Sequence, residues 1–282
     1  MSYRSILTMG LRSSGFAPAL QVASRLAQAG DGHLDVLALG LDVAMPGYVG
    51  YGGSMAILAV AMDDAREAVA VAEAELRVLL AQESPTLRWS VEAEVAAAGA
   101  LHDLVAGHAR YSDLVVLPKP YGAGRGSADQ AMVEAALFGG HCPVLLLPEA
   151  FPVNRAIGSR PVVAWNGSDA ALAAIRRALP LLKAAEKVNV VVIDPSAQGA
   201  ERSDPGGLLC RMLARHGVSA EVSVLARSAP RISDVLHSHM RDRDGDLVVM
   251  GAYGHSRLRE AIFGGVTRDM LEQAAVPVFL AH

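Results

Sequence analysis

The chain has 282 residues, of which 52% are hydrophobic and 19% charged, with a net charge of −4 and a pI near 6.1. That length accommodates two ordinary domains or one large one, and the composition excludes a disordered chain. The mildly acidic balance excludes a general binder of nucleic acid or of anionic membranes.

The opening MSYRSILTMG does not read as a signal peptide, because its apolar stretch is short, and SILTMG reads as a first strand. HLDVLALG follows as a second strand. DVAMPGYVGYGGS (Asp42 to Ser54) is then a Gly-rich loop before a long Ala-rich helix. In that helix Leu58, Met62, Ala65, Val69, Ala72, Leu76 and Leu79 recur at alternating spacings of four and three, so it is expected to cover a sheet. A lid or partner helix with Tyr48 and Tyr51 at its tips is the alternative. The apolar stretch Met55 to Met62 meets Asp63 and Asp64 too early to span a bilayer, so a cytoplasmic, reducing setting is expected. LRWSVEAEV, DLVVLP and PVLLLP are the remaining strands of the first half, and EAFPVNRAIGSR (Glu149 to Arg160) reads as a linker.

In the second half RPVVAWN is a strand, followed by a helix with Leu172, Ile175, Leu179 and Leu182 on one face. Ser168 or Asp169 is placed as its N-cap, and Pro180 is expected to kink or end it. KVNVVVID, a helix around Leu208 to Ala214, VSAEVSVLA, a helix around Ile232 to Met240, DLVVMG and VPVFLA complete the chain. Continuous Val/Ile/Leu strands alternating with helices imply a parallel sheet covered on both faces. The two cysteines, Cys142 and Cys210, lie in apolar surroundings and read as small core residues.

The halves repeat each other. SDLVVLPKPYG resembles GDLVVMGAYG at an offset of 133, and CPVLLLP resembles VPVFLAH at 134. Near the starts Ile6 aligns with Val162 at 156, so the first half carries an insertion of about 22 residues. Two compact α/β domains, 1–150 and 151–282, are the expected organisation.

The segment from Met250 to Leu271, MGAYGHSRLREAIFGGVTRDML, leaves a strand through Gly251 and Gly254 and enters a helix through Gly264 and Gly265. In open parallel sheets ligands bind beyond the carboxyl ends of strands, and a helix N-terminus offers unpaired N–H donors to phosphate. Thr267 can add a hydroxyl, and His255, Arg257 and Arg259 bring positive charge. The simpler reading makes these glycines a strand exit and a helix boundary.

Gly251-x-x-Gly254, nine residues, then Gly264 with a small residue, Val266 and Thr267, resembles the nucleotide-binding signature of the universal stress protein family. VVAWNGSDAALAAIRRALPLL is similar to that family's opening strand and helix, and the duplication is similar to its tandem-domain members. The resemblance implies two Rossmann-like domains, each a five-stranded parallel sheet flanked by helices, paired as an intrachain pseudo-dimer through their terminal strands. It also implies ATP or another adenine nucleotide, with magnesium, in some members. The implied contacts are Asn166, Ile193, Gly251, Gly254, His255, Arg257, Gly264, Gly265, Val266 and Thr267. Asn166 stands where ATP-binding members carry Asp, so no carboxylate is available there for a metal-bound phosphate, and Gly265 stands where the signature has Ser or Thr. In the first half Pro118 and Tyr121 occupy the places of Gly251 and Gly254, and Gly10 and Leu11 stand near the usual Asp. That half reads as a degenerate copy.

Two readings stand at this point. One is a stress-response protein with an adenine-nucleotide pocket in its second domain, and the other is a nucleotide-free module for dimerisation and protein contact. No general base lies beside the glycine segment, no Cys/His spacing marks a metal site, and no nucleophile elbow is present, so dedicated turnover is not expected; slow ATP hydrolysis is a third, weaker reading. His237 and His239 are poor partners at a spacing of two, and Asp242, Asp244 and Asp246 read as solvated charges. A homodimer of the tandem chain and an unnamed protein partner are further expectations.

Overall fold

The computed structural model describes residues 2–11, 16–42, 55–83, 85–97, 99–195, 203–252 and 265–282. They form two compact units, Ser2–Cys142 and Pro143–His282. The first unit runs β1 (Ser5–Leu11), α1 (Ala17–Ala29), β2 (His33–Asp42), α2 (Met55–Glu83), β3 (Arg88–Ala97), α3 (Leu101–Ala109), β4 (Leu114–Pro118) and α4 (Ser127–Glu134). Helix α4 continues into a π-helical turn at Ala135–Gly139. Its strands are parallel in the order β3-β2-β1-β4.

The second unit runs β5 (Val144–Leu147), β6 (Pro161–Ala164), α5 (Asp169–Ala184), β7 (Val188–Ile193), α6 (Gly207–Arg215), β8 (Ala220–Leu225), α7 (Ile232–Asp242), β9 (Leu247–Gly251), α8 (Gly265–Gln273) and β10 (Val278–Ala281). Its order is β5-β10-β9-β6-β7-β8. All neighbours are parallel except β5 and β10, which pair antiparallel with Phe279 opposite Leu145. The terminal strands PVLLLP and PVFLA therefore meet, inside the second unit, and both are buried along their whole length. The central strands β4 and β9 are buried from their first residue to their fourth, as strands covered on both faces must be.

The repeat is exact at the level of register. Ile6 pairs with Leu114, and Pro161 pairs with Leu247. Ile6 therefore corresponds to Pro161, one residue before the Val162 that sequence similarity selects. Each half also ties its first strand to the residue before its central strand in the same way. The Asp113 carboxylate accepts from the Arg4 and Ser5 amides at 2.7 and 3.1 Å, and Asp246 accepts from the Ser159 and Arg160 amides at 2.7 and 2.9 Å. Asp246 is thus a buried structural acceptor rather than a solvated charge.

Helix α5 does not end at Pro180 but continues to Ala184. The carbonyl that proline leaves without a donor belongs to Arg176, which is exposed, so water can satisfy it while Leu179, Leu181 and Leu182 hold the last turns in the core. Ser168 caps the start, its hydroxyl accepting from the Ala171 amide at 3.2 Å. Helix α2 covers the sheet as expected, with Val69 buried, but its face is rotated near the end. Leu80 is fully buried, whereas Leu79 is 43% exposed. The loop carrying Tyr48 and Tyr51 lies outside the described residues. Cys142 is buried and Cys210 half-buried, and neither is in a disulfide. Among the described residues no helix is long and apolar enough to cross a membrane.

Candidate functional site

In the second repeat β6 is the first strand laid down, with β7 and β8 added on one side of it and β9 on the other. The chain order reverses between β6 and β9, and a crevice opens beyond their carboxyl ends at such a switch point. The residues that follow β6 and end β7 and β9 are those singled out by sequence: Asn166, Ile193 and Gly251. The parallel register holds their strands together at one edge of the sheet, with Val162 opposite Asn189 and Val248.

Asn166 is exposed, and its Oδ1 accepts from both the Ser168 amide and the Ser168 hydroxyl, at 3.1 and 2.7 Å. The oxygen is thereby engaged, and what the side chain offers outward is its pair of Nδ2–H donors. Donors suit a ribose, a phosphate oxygen or an adenine ring nitrogen, and they do not suit a metal ion. Ile193 is half-buried at the end of β7, opposite Leu225.

Gly251 has a second reason to be glycine. A β-carbon there would lie 2.5 Å from the Ala171 nitrogen and 2.6 Å from the Ala170 carbonyl carbon. Strand β9 and the first turn of α5 touch backbone to backbone at this point, which only glycine permits. Gly265 is different: it is exposed at the first position of α8, and a β-carbon would meet none of the described residues within 4 Å. Val266 is 39% exposed beside it, whereas Thr267 is 5% exposed, so its hydroxyl serves a ligand only within an enclosed pocket. Gly254, His255, Arg257 and Gly264 lie outside the described residues.

The corresponding places in the first unit carry different groups. Pro118 ends β4 where Gly251 ends β9, and it has no amide to offer. The ring of Phe16 lies over Gly10, with Cδ2 at 2.6 Å from where a β-carbon would stand. Around it Leu11, Leu39, Leu41, Val69 and Leu76 line an apolar cavity of about 710 Å³. The start of α4 is occupied by the chain's own carboxylate. Asp129 accepts from the Gly126 amide at 2.8 Å and pairs with Arg125 at 3.1 Å, both side chains nearly buried. An anion at that helix N-terminus would compete with a built-in one.

Sequence reasoning missed a second polar assembly. Asn189 on β7 donates to Glu221 and Ser223 on β8, at 3.2 and 2.9 Å, and its Oδ1 meets His239 Nε2 of α7 at 2.8 Å. Burial, followed by the Arg243 charge, holds the His239 ring below the usual imidazole range, and the Lys187 hydrogen bond leads the groups that lower Glu221. An Asn inside an otherwise apolar strand was the available signal.

Residues 160–282 match the model of the universal stress protein family. A universal stress protein from Synechocystis is 26% identical over 141 residues, which span 48% of this chain and 45% of the relative. The chain thus matches about half the length of that relative. Among solved structures, a universal stress protein from Archaeoglobus fulgidus shares the fold with a TM-score of 0.70, at 13% identity over 98% of this chain and 95% of that one. A putative universal stress protein from Pseudomonas aeruginosa does so with a TM-score of 0.58, at 18% identity over 99% and 93%. The family match thus lies within the second unit, and solved universal stress proteins share the fold along nearly the whole chain.

Proposed function

We propose that this chain is a non-enzymatic, cytoplasmic stress-response protein whose second unit holds ATP or another adenine nucleotide beyond the carboxyl ends of β6, β7 and β9. The observation that carries the reading is the asymmetry of the two units at equivalent places. Among the described residues none stands over Gly265 at the start of α8, whereas Asp129 accepts from the Gly126 amide at the start of α4 and Phe16 lies over Gly10 near the end of β1. In this reading the phosphates lie over Gly254, Gly264 and Gly265, and Asn166 donates to the ribose or base beside Ile193. Since Asn166 offers no carboxylate, any magnesium is carried by the phosphates. Nucleotide occupancy, not turnover, is the signal that a partner protein reads.

A nucleotide-free interaction module is the second reading, and the close contact of Gly251 with Ala171 favours it, because that contact explains one motif glycine without a ligand. Denaturing the purified protein and analysing the released small molecules by mass spectrometry separates the two. An adenine nucleotide at near-equimolar yield supports the first. Its absence, together with no uptake on dialysis against ATP, leaves the interaction module.

A further inference from the structure

The first unit carries a cleft of about 580 Å³ on the face of β1, β2 and β3 that α3 covers. Its lining includes Asp35, Ser90, Glu92, Glu94, Asp103 and His108, and it contains neither lysine nor arginine. Glu92 and Glu94 are two apart on β3 and so project to the same face. His108 reaches them from the last turn of α3, its Nε2 at 2.9 Å from Glu94 Oε1. One ligand atom from each of the three lies within 4.8 Å of the other two.

We propose that Glu92, Glu94 and His108 form a binding site for a divalent transition-metal cation of the zinc class. Two carboxylate oxygens and an imidazole nitrogen are a borderline-hard donor set that suits zinc over magnesium, because the nitrogen ligand gains little from magnesium. Ligands about 2.0–2.1 Å from a tetrahedral zinc stand about 3.3 Å from one another. The Glu94–His108 separation is close to that, and exposed Glu92 closes the remaining gap by side-chain rotation. Three protein ligands leave the fourth position open to the cleft. Gly107 lies along this wall, and a β-carbon on it would meet nothing within 4 Å, so the approach is unobstructed.

The second unit shows what this place looks like when it is built for structure alone. Leu7 pairs with Asp35, and its counterpart Val162 pairs with Asn189; Asp35 in turn pairs with Ser90, and Asn189 with Glu221. By the same register Glu92 corresponds to Ser223, and His239 stands seven residues into α7 as His108 stands seven into α3. There the histidine is buried on an amide, and the one carboxylate is neutralised by Lys187 at 2.6 Å and Arg243 at 3.2 Å. In the first unit the amide is replaced by Asp35, the serine by Glu92, and Glu92 has no ion pair among the described residues. Among the described residues the cleft's carboxylates thus have no lysine or arginine beside them, and only histidine to pair with.

Isothermal titration of the full chain with zinc chloride, in a millimolar excess of magnesium, tests this. One zinc per chain is expected. Glu94→Gln and His108→Gln should each weaken binding at least tenfold, Glu92→Gln should weaken it several-fold, and His216→Gln on the exposed end of α6 should leave it unchanged. The variants alter half-exposed or exposed side chains, and circular dichroism checks that they remain folded. No saturable zinc binding by the wild type, binding abolished by magnesium, or equal affinity in His108→Gln would each overturn the proposal.

Discussion

At the scale of single residues, the backbone contact of Gly251 with α5 makes a quantitative claim. Adding one methyl group there forces strand and helix apart, so Gly251→Ala should cost roughly 1–3 kcal/mol in urea unfolding, as overpacking does. An unchanged midpoint would mean that the glycine serves something other than packing. Glu134 makes a claim about pH. Its Oε1 is buried without a partner among the described residues, and burial pushes the carboxyl up to about 7, against the opposing pull of His102. The folded state therefore holds the proton more tightly than the unfolded one, and stability falls as pH rises from about 4.5 to about 7. Glu134→Gln should raise the urea midpoint at about pH 8 and leave it nearly unchanged at about pH 4. A gain of equal size at both values would remove ionisation as the cause.

At the scale of elements, the antiparallel pairing of β5 and β10 joins a strand from the first repeat to the last strand of the second. Phe279 sits fully buried opposite Leu145 in that pairing, and Phe279→Ala should cost about 3–5 kcal/mol. A loss below about 1 kcal/mol would show that the pairing contributes little. These strands were legible in the sequence because runs such as VLLL and VFLA are apolar at every position, which only a sheet covered on both faces requires. The repeat was legible for the same reason, since DLVVLP and DLVVMG encode the same buried strand. Less legible were features that depend on what lies across the fold. Pro180 reads locally as a helix breaker, but the core packing of Leu181 and Leu182 carries α5 past it. Asp246 reads as a surface charge, but two amides just before β6 turn it into an internal acceptor. Glu92 and Glu94 stand 14 or more residues before His108 and belong to different elements, so no linear spacing announces them.

At the scale of the whole molecule, duplication has given two copies of one α/β plan, and the copies have diverged at equivalent places. In the first, Phe16 lies over Gly10 and Asp129 caps α4, while in the second no described residue stands over Gly265. The central claim is that this asymmetry decides where a nucleotide binds. Calorimetric titration with ATP of the wild type, Gly265→Asp and Tyr121→Ala tests it directly. A β-carbon at the first position of α8 meets no described residue, and an aspartate there favours the helix dipole, so the variant should fold at least as well as the wild type. It nonetheless places a carboxylate where phosphate is expected. Binding by the wild type, a loss of about 2 kcal/mol or more in Gly265→Asp and little change in Tyr121→Ala are the predicted results. Undiminished binding by Gly265→Asp, or a loss confined to Tyr121→Ala, would contradict the account.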